Sequence, residues 1–244
     1  GKSIIVQMLK TDEEMLFGNS SLWWLNIETK EMRPVFQDSQ LLSHSASISP
    51  DGQWLSYITM GLTNNLQFYN LNDGTIYEFP IDTASGAVFN PQSTKALFTN
   101  YITAGDKKIK HIFTVDLNNG SLKDVSNKSI YQDWSAVFNQ DGSQLAVIRQ
   151  VNEDDILMIG DQLWLMNPDG TEAQQITNQD QFLHSTPIWS QDDQYLLYEG
   201  TDLNVAQIFS DIWILATNTG EAEKVLENAT TPTWLLLTES EKNE

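Results

Sequence analysis

Short runs of hydrophobic residues alternate with polar turn segments along the whole chain. In the clearest stretch, Asp141-Gly142 and Pro168-Asp169-Gly170 separate such runs. Gly tolerates a positive φ and Pro presets its own φ, so both segments are typical of hairpin turns. Four strands are predicted there, at Ser135–Asn139, Gln144–Gln150, Gln162–Met166 and Glu172–Thr177. This stretch therefore predicts one four-stranded antiparallel unit.

One sequence phrase recurs five times: two small or β-prone residues, then an aromatic residue or Ile, then a turn. We call the aromatic residue or Ile of each copy its anchor. The anchors are Ile48, Phe89, Phe138, Trp189 and Trp234. Successive anchors lie about 40 to 50 positions apart, which is typical of a radial β-repeat rather than a helical solenoid.

The repeats predict an all-β fold, a β-propeller with four-stranded blades. Because Ser3–Leu9 matches the second strand of a blade and Thr231–Leu237 matches a lone first strand, we expect the C-terminal strand to complete the first blade. It would then close a ring of five blades and remove exposed sheet edges. The predicted blades cover residues 1–43 with 231–237, 44–84, 85–132, 133–183 and 184–230. Gly1-Lys2-Ser3 resembles the end of a turn, so a longer chain with a sixth blade is the alternative.

Charge narrows the range of partners. With 13 Lys and Arg against 33 Asp and Glu, the formal net charge is −20. Nucleic acid and anionic membrane surfaces are disfavoured, because both attract clustered basic residues. A basic protein or peptide would be attracted. The sequence contains no cysteine, and no apolar run reaches the roughly 18 residues of a membrane span.

Catalytic motifs are absent from the sequence. It contains no Gly-x-Ser-x-Gly elbow, no phosphate-binding Gly-rich loop and no His-Glu-x-x-His. We therefore predict a protein that is not an enzyme and needs no cofactor. The oligomeric state stays open.

Candidate contact residues lie where the chain enters the first strand of a repeat. His44 and His184 occupy similar places there, and Asp133-Trp134 lies at the corresponding point of another repeat. Because this entry lies at the mouth of a propeller channel, we expect the four residues around one rim, with Trp134 as the aromatic anchor of a ligand. Two His and one Asp lack the spacing of a metal site, so no metal is predicted.

A second candidate contact is the acidic loop that carries Glu153, Asp154 and Asp155. Loops on a rigid scaffold are frequent binding sites. The loop lacks the ligand spacing of an EF-hand, so solvated charge is the simpler interpretation.

Two of these phrases resemble a known repeat. Ile48–Gly52 and Gln162–Gly170 are similar to the TolB-type propeller repeat, a relative of the WD repeat. The resemblance implies a mostly bacterial, often extracytoplasmic family with many non-catalytic scaffolds, which bind proteins or peptides in the channel or on one face. It also extends to the propellers of prolyl oligopeptidase-like enzymes, whose catalytic residues lie in a separate domain.

Three functional hypotheses follow. The first is a non-enzymatic binding or scaffold propeller that engages a protein or peptide at the channel rim. The second is the non-catalytic propeller domain of a larger prolyl oligopeptidase-like enzyme. The third is a five-bladed glycosidase, which would need converging carboxylates, whereas Asp133 alone adjoins an innermost strand.

Overall fold

The computed structural model describes residues 2–10, 19–36, 42–83, 85–152, 160–179, 181–205 and 209–235. Within these ranges the chain is all-β, with five sheets and no helix. A helix long and apolar enough to cross a bilayer is accordingly absent from the described ranges.

The sheets follow one another along the chain. The first contains β1 (Ser3–Lys10), β2 (Asn19–Asn26) and β3 (Met32–Pro34). The second contains β4 (Ser43–Ile48), β5 (Trp54–Thr59), β6 (Asn64–Asn70) and β7 (Ile76–Ile81). The third contains β8 (Val88–Phe89), β9 (Lys95–Ala104), β10 (Lys107–Asp116) and β11 (Leu122–Asp124). The fourth contains β12 (Tyr131–Phe138), β13 (Leu145–Val151), β14 (Gln162–Met166) and β15 (Gln174–Gln175).

The fifth sheet differs in its first strand, which is divided into two segments. These are β16 (Phe182–His184) and β17 (Ile188–Trp189), and both pair with β18 (Tyr195–Asp202). The sheet continues with β19 (Ser210–Ala216) and β20 (Ala222–Leu226). The sequential order of strands within each sheet confirms the repeat and the all-β propeller class.

The C-terminal segment does not show the predicted strand. Residues 231–235 adopt no strand, and residues 236 and 237 lie outside the described ranges. Trp234 donates its indole N–H to the Ile188 carbonyl, 3.1 Å away. Completion of the first blade and the count of five blades therefore stay predictions, as do the blade boundaries.

The turn after each of four anchors is built by one polar side chain. The residue that follows the anchor accepts a hydrogen bond from the backbone N–H at the start of the next strand. The distances are 2.9 Å for Ser49 and Trp54, 2.8 Å for Asn90 and Lys95, 2.9 Å for Asn139 and Gln144, and 3.0 Å for Ser190 and Tyr195. These bonds satisfy donors that a tight turn would leave unpaired, which explains why Ser and Asn recur there.

The same turns share one residue in the left-handed backbone region. It is Gly52 in the second sheet and Gly142 in the fourth, with φ of 75° and 69°. Ser93 and Asp193 take the corresponding positions with φ of 57° and 58°, although a side chain there is strained. Their side chains hold the preceding turn: Ser93 Oγ accepts from the Asp51 N–H, and Asp193 Oδ1 accepts from that of Gln140.

Contacts divide the chain into two compact units. The first unit is residues 1–101 with 115–122, and the second is residues 102–114 with 123–244. The core of the first includes Leu22, Leu55 and Tyr57. The core of the second packs strands of the fourth and fifth sheets through Ile148, Leu163, Trp189, Leu196 and Leu215. Buried apolar surface of this kind is the main stabilising contribution within each unit.

Candidate functional site

A one-residue bulge marks the first strand of the fourth sheet. Asp133 pairs with Arg149, and the next pair is Ser135 with Ile148. Trp134 is therefore the extra residue of β12. Such bulges bend a strand and redirect a side chain, and they are frequent beside functional sites.

The fifth sheet repeats this register. His184 pairs with Gly200 and the next pair is Ile188 with Leu197, so one extra residue again follows. Asp133 and His184 therefore occupy equivalent positions, as the sequence predicts. In the second sheet, the position equivalent to Asp133 and His184 is Ser43, which pairs with Thr59. His44 is the next residue along the strand. His44 and His184 therefore lie in similar places that differ by one position in register.

Asp133 is fully buried and has strong internal partners. Its Oδ1 accepts from Nε of Arg149 at 2.6 Å, and its Oδ2 accepts from Nη2 of Arg149 at 2.7 Å. Ser126 donates its hydroxyl to Oδ2 at 2.5 Å. A carboxylate fixed by a bidentate guanidinium is compensated in charge, so Asp133 is a structural centre of the fourth sheet.

Arg149 is enclosed by aromatic rings. Only 1% of its surface is exposed, and its guanidinium carbon lies 4.1 Å from the ring centre of Tyr131 and 5.3 Å from that of Trp164. Aromatic faces attract a desolvated cation. The network of Asp133, Arg149, Ser126, Tyr131 and Trp164, which we call the buried pair cluster, makes a rigid base under the bulge.

Trp134 projects from that base toward solvent. Its side chain is 42% exposed, whereas the neighbouring Asp133 is fully buried. The ammonium group of Lys110 lies 5.4 Å from the ring centre of Trp134 and covers part of it. An exposed aromatic ring beside a cation, on a strand with a fixed backbone, has the properties of a contact residue.

His184 lies inside the second unit. Its Nδ1 and its backbone N–H both lie within hydrogen-bond distance of Asp161 Oδ1, at 2.8 and 3.0 Å. The imidazole packs between the rings of Phe182 and Tyr198, at centroid distances of 5.0 and 5.2 Å. Burial raises the pKa of the Tyr198 hydroxyl above its ordinary value, which keeps it neutral. Ligand contact by His184 stays a prediction, and its described partners are structural.

His111 forms a second imidazole–carboxylate pair, in which its buried Nδ1 lies 2.7 Å from Oδ2 of the half-buried Asp124. Burial by itself would raise the pKa of Asp124. The hydrogen bond and charge of His111, with backbone N–H groups of Asn127 and Ser126, outweigh burial and hold this pKa below its ordinary value.

The other predicted contact residues, His44 and the acidic loop, do not join Asp133, Trp134 and His184 among the described contacts. His44, in the first unit, places Nδ1 2.8 Å from the Ser45 hydroxyl. The convergence of His44 with Asp133, Trp134 and His184 on one rim stays a prediction. Glu153, Asp154 and Asp155 lie outside the described residues. In the described part of the chain, no group of three or more His, Asp or Glu side chains could hold a metal ion.

Arg149, Asp161 and Ser126 were not among the residues predicted from the sequence. Arg149 carried one signal, because its charge ends the apolar run at residues 145–148 of a strand predicted to be buried. A buried charge requires a partner of opposite charge. The sequence contains no comparable signal for Asp161 or Ser126.

Comparison with known proteins supports the fold alone. No family model and no curated protein matches the chain. The propeller domain of the trilobed protease from Pyrococcus furiosus is similar with a TM-score of 0.64 at 12% identity, covering 92% of this chain and 68% of that one. TolB from Acinetobacter baumannii has a TM-score of 0.56 at 16% identity, covering 91% of this chain and 52% of that one.

Enzymes are also among the similar structures. A prolyl endopeptidase has a TM-score of 0.64 at 10% identity, covering 93% of this chain and 35% of that one. An oligogalacturonate lyase in complex with manganese has a TM-score of 0.60 at 16% identity, with 92% and 73% coverage. The chain thus spans about a third of the peptidase and about half of the TolB. Its fold is that of a TolB-like β-propeller.

Proposed function

We propose that this propeller is a non-enzymatic binding module that engages a protein or peptide through the surface around Trp134. The observation that carries the proposal is the bulge in β12, at which Trp134 is exposed while the preceding residue, Asp133, is fully buried. The resemblance to TolB-type repeats agrees with it, and we extend the proposal to an extracytoplasmic location.

The buried pair cluster would pre-organise this surface. Asp133 adjoins Trp134 in the chain and is fixed to Arg149 by two charge-assisted hydrogen bonds. The backbone at the bulge therefore loses little freedom when a partner binds, and less binding free energy is spent on ordering. The net charge of −20 favours a basic partner by long-range attraction.

A peptide selection tests the proposal. A phage-displayed random peptide library would be selected on the immobilised full chain, and the enriched peptides would be measured against Trp134→Ala and Tyr195→Ala. Tyr195 is the matched control, since it is also in the second unit and 40% exposed. We expect basic peptides whose affinity falls at least tenfold in Trp134→Ala and stays unchanged in Tyr195→Ala. Equal binding to wild type and Trp134→Ala would refute the role of this surface.

The second candidate is the propeller domain of a longer peptidase-like protein. The support for it is that 93% of this chain matches only 35% of the prolyl endopeptidase. Sequencing the native reading frame on both sides of this chain tests it. An adjoining α/β-hydrolase domain would support this candidate against the free-standing binding module. The glycosidase hypothesis receives less support, because the Asp133 carboxylate is already bonded to Arg149.

A further inference from the structure

A groove of about 590 Å³ lies beside the first sheet, within the first unit. Its described lining consists of Ser3, Trp24, Asn26, Glu31, Met32 and Arg33. All six residues are exposed or half-buried, so a ligand in the groove can reach them. The volume falls within the range of about 300–1,000 Å³ that small-molecule sites occupy.

Strand register places the two charged residues of this lining on one face of the sheet. Arg33 pairs with Trp24, and the backbone N–H of Asn26 donates to the Glu31 carbonyl at 2.9 Å. Side chains two residues apart in an extended chain point to the same face. Glu31 and Arg33 therefore project from the same face as Asn26 and Trp24, in two neighbouring rows.

Arg33 lies over an aromatic ring and has no acidic partner. Its guanidinium carbon is 5.7 Å from the ring centre of Trp24, and no described carboxylate bonds to it. The indole N–H of Trp24 likewise has no acceptor in the described part of the chain, and it is not fully enclosed. A guanidinium on an aromatic face still presents its N–H groups at the edge, where they match the two oxygens of a carboxylate.

Glu31 supplies the opposite charge in the neighbouring row. Its Oε2 accepts from the hydroxyl of Thr29 at 3.4 Å, and no cation pairs with it among the residues that the structure describes. The turn beneath it is fixed, because Asn26 Oδ1 accepts from the backbone N–H groups of Glu28 and Thr29 at 2.9 and 3.0 Å. Glu31 is thus an exposed acceptor for an ammonium group.

These charges select among ligand classes. A ligand that is only anionic is repelled by Glu31 and by the net charge of −20. A ligand that is only cationic is repelled by Arg33 and leaves its donors unpaired. A zwitterion pairs with both side chains and carries no net charge, so the overall field of the chain does not oppose it.

The spacing of the two rows indicates the length of the zwitterion. Two residues of a strand rise by about 6.6–6.8 Å, which separates the backbone positions of Glu31 and Arg33. An extended peptide of two residues spans up to about 7 Å, whereas a single amino acid spans about half of that. A dipeptide with free ends therefore matches the spacing of the two charged side chains.

From these observations we propose that the groove is a binding site for a short peptide, two residues long, with free termini. Its α-carboxylate would accept from the Arg33 guanidinium and the Trp24 indole N–H, and its α-ammonium group would donate to the Glu31 carboxylate. The site lies in the first unit, whereas Trp134 lies in the second, and binding requires no catalytic step.

The experiment uses the full chain and three dipeptides: glycylglycine, alanyl-leucine and alanyl-phenylalanine. Saturation-transfer NMR would detect binding, and calorimetric titration would give the dissociation constants. Two modified forms of the best dipeptide separate the two ends: the N-acetyl form lacks the ammonium group, and the C-terminal amide lacks the carboxylate. L-leucine tests the length.

The variants are Arg33→Gln and Glu31→Gln, which remove one charge each from an exposed position. Lys30→Gln and Glu28→Gln are their matched controls, since both residues are exposed on the same hairpin and lie outside the lining. Circular dichroism would verify the fold of each variant. The comparison of free and modified dipeptides on the unchanged chain tests the proposal without any substitution.

We expect saturable binding of at least one dipeptide, weakened about tenfold or more by Arg33→Gln and by Glu31→Gln, because each removes a hydrogen bond between charged groups. Acetylation should weaken binding to the unchanged chain and abolish the effect of Glu31→Gln. Amidation should do the same for Arg33→Gln. Lys30→Gln, Glu28→Gln and Trp134→Ala should bind as the unchanged chain does.

The proposal is overturned if no dipeptide binds at millimolar concentration, or if Arg33→Gln and Glu31→Gln bind as the unchanged chain does. Tighter binding of the acetylated form would reveal a site for anions, and tighter binding of the amide a site for cations. Either result would overturn it. Equal binding of L-leucine and the dipeptides would overturn the proposed length.

Discussion

Removal of Arg149 should expose how much the buried pair cluster contributes to stability. In Arg149→Met the apolar stem of the side chain is retained, and the two hydrogen bonds of 2.6 and 2.7 Å to Asp133 are lost. The carboxylate then stays fully buried with Ser126 as its remaining donor from this cluster. It cannot regain water without local opening of the sheet.

The expected cost is large because the surviving partner is charged. Removing one member of a buried ion pair typically destabilises a protein by about 3–5 kcal/mol. The cost of removing the cation from the faces of Tyr131 and Trp164 is included in this range. For a chain of this length, each kcal/mol lowers Tm by about 2–4 °C, so the total decrease should be about 6–20 °C.

The assay is urea denaturation followed by tryptophan fluorescence, with scanning calorimetry for Tm. The double variant Asp133→Leu with Arg149→Met replaces both charges by apolar groups and should recover most of the loss, because no charge is left unpaired. Lys224→Met is the control. It removes two surface ion pairs, with Asp211 and Glu227, and each such pair contributes about 0–1 kcal/mol.

The reasoning is refuted if Arg149→Met costs less than about 1 kcal/mol, since a buried carboxylate without its cation cannot be that inexpensive. A double variant that is less stable than Arg149→Met would also contradict it. Because both variants lack the arginine, that result would mean that Asp133 stabilises the sheet through its own packing and its bond to Ser126, rather than through charge compensation.

Three further outcomes are expected. Because the pKa of Asp124 is lowered in the folded state, its ionised carboxylate stabilises the fold above the ordinary carboxyl pKa. This stabilisation is lost as the pH falls through the lowered pKa. The urea midpoint should therefore decrease more steeply in wild type than in Asp124→Asn as the pH is lowered from about 5 to about 2. Gly170→Ala should cost more than about 2 kcal/mol in urea denaturation, because its Cβ would lie 2.3 Å from the Val125 carbonyl oxygen at a φ of 83°. Gly105→Ala, with a φ of 61° and open space around the new atom, should cost about 1 kcal/mol, and equal losses would contradict the steric account. Trp134→Ala should lower the free energy of unfolding by about 1–2 kcal/mol, since part of the ring is covered and Lys110 lies over it; a loss above about 3 kcal/mol would make Trp134 a packing residue.

The sequence predicts those parts of the fold that local chemistry determines. The predicted third strand of the fourth sheet coincides with β14, and the predicted second strand lies within one residue of β13. These strands alternate with turns in which Gly142 and Gly170 adopt positive φ, as their Asp-Gly dipeptides indicate. Strand and turn signals of this kind extend over a few residues, so they can be recognised without knowledge of distant contacts.

The candidate site was harder to predict because it depends on register between strands. Ser43 precedes its anchor by five residues, as His184 does, whereas His44 precedes it by four, so Ser43 is the counterpart of His184. Asp161 lies 23 positions before His184, and Asp133 lies 16 before Arg149. These pairings follow from sheet geometry that neither partner indicates by itself. Sequence reasoning therefore identified Asp133 and His184 as special positions, and it did not identify their partners.

The left-handed residues of the four turns have a consequence for how such a chain can grow. Hydrogen bonds join the four turns in two pairs. Ser93 bonds to the turn at Asp51, and Asp193 bonds to the turn at Gln140, whereas Gly52 and Gly142 have no side chain to form such a bond. In the second and fourth copies of the phrase, a side chain that links two turns therefore stands where the first and third copies have Gly. A duplication of a single copy would separate the two members of such a link. A duplication of two adjacent copies would carry both members along, so a pair of copies is the smallest duplicated unit that keeps such a link intact.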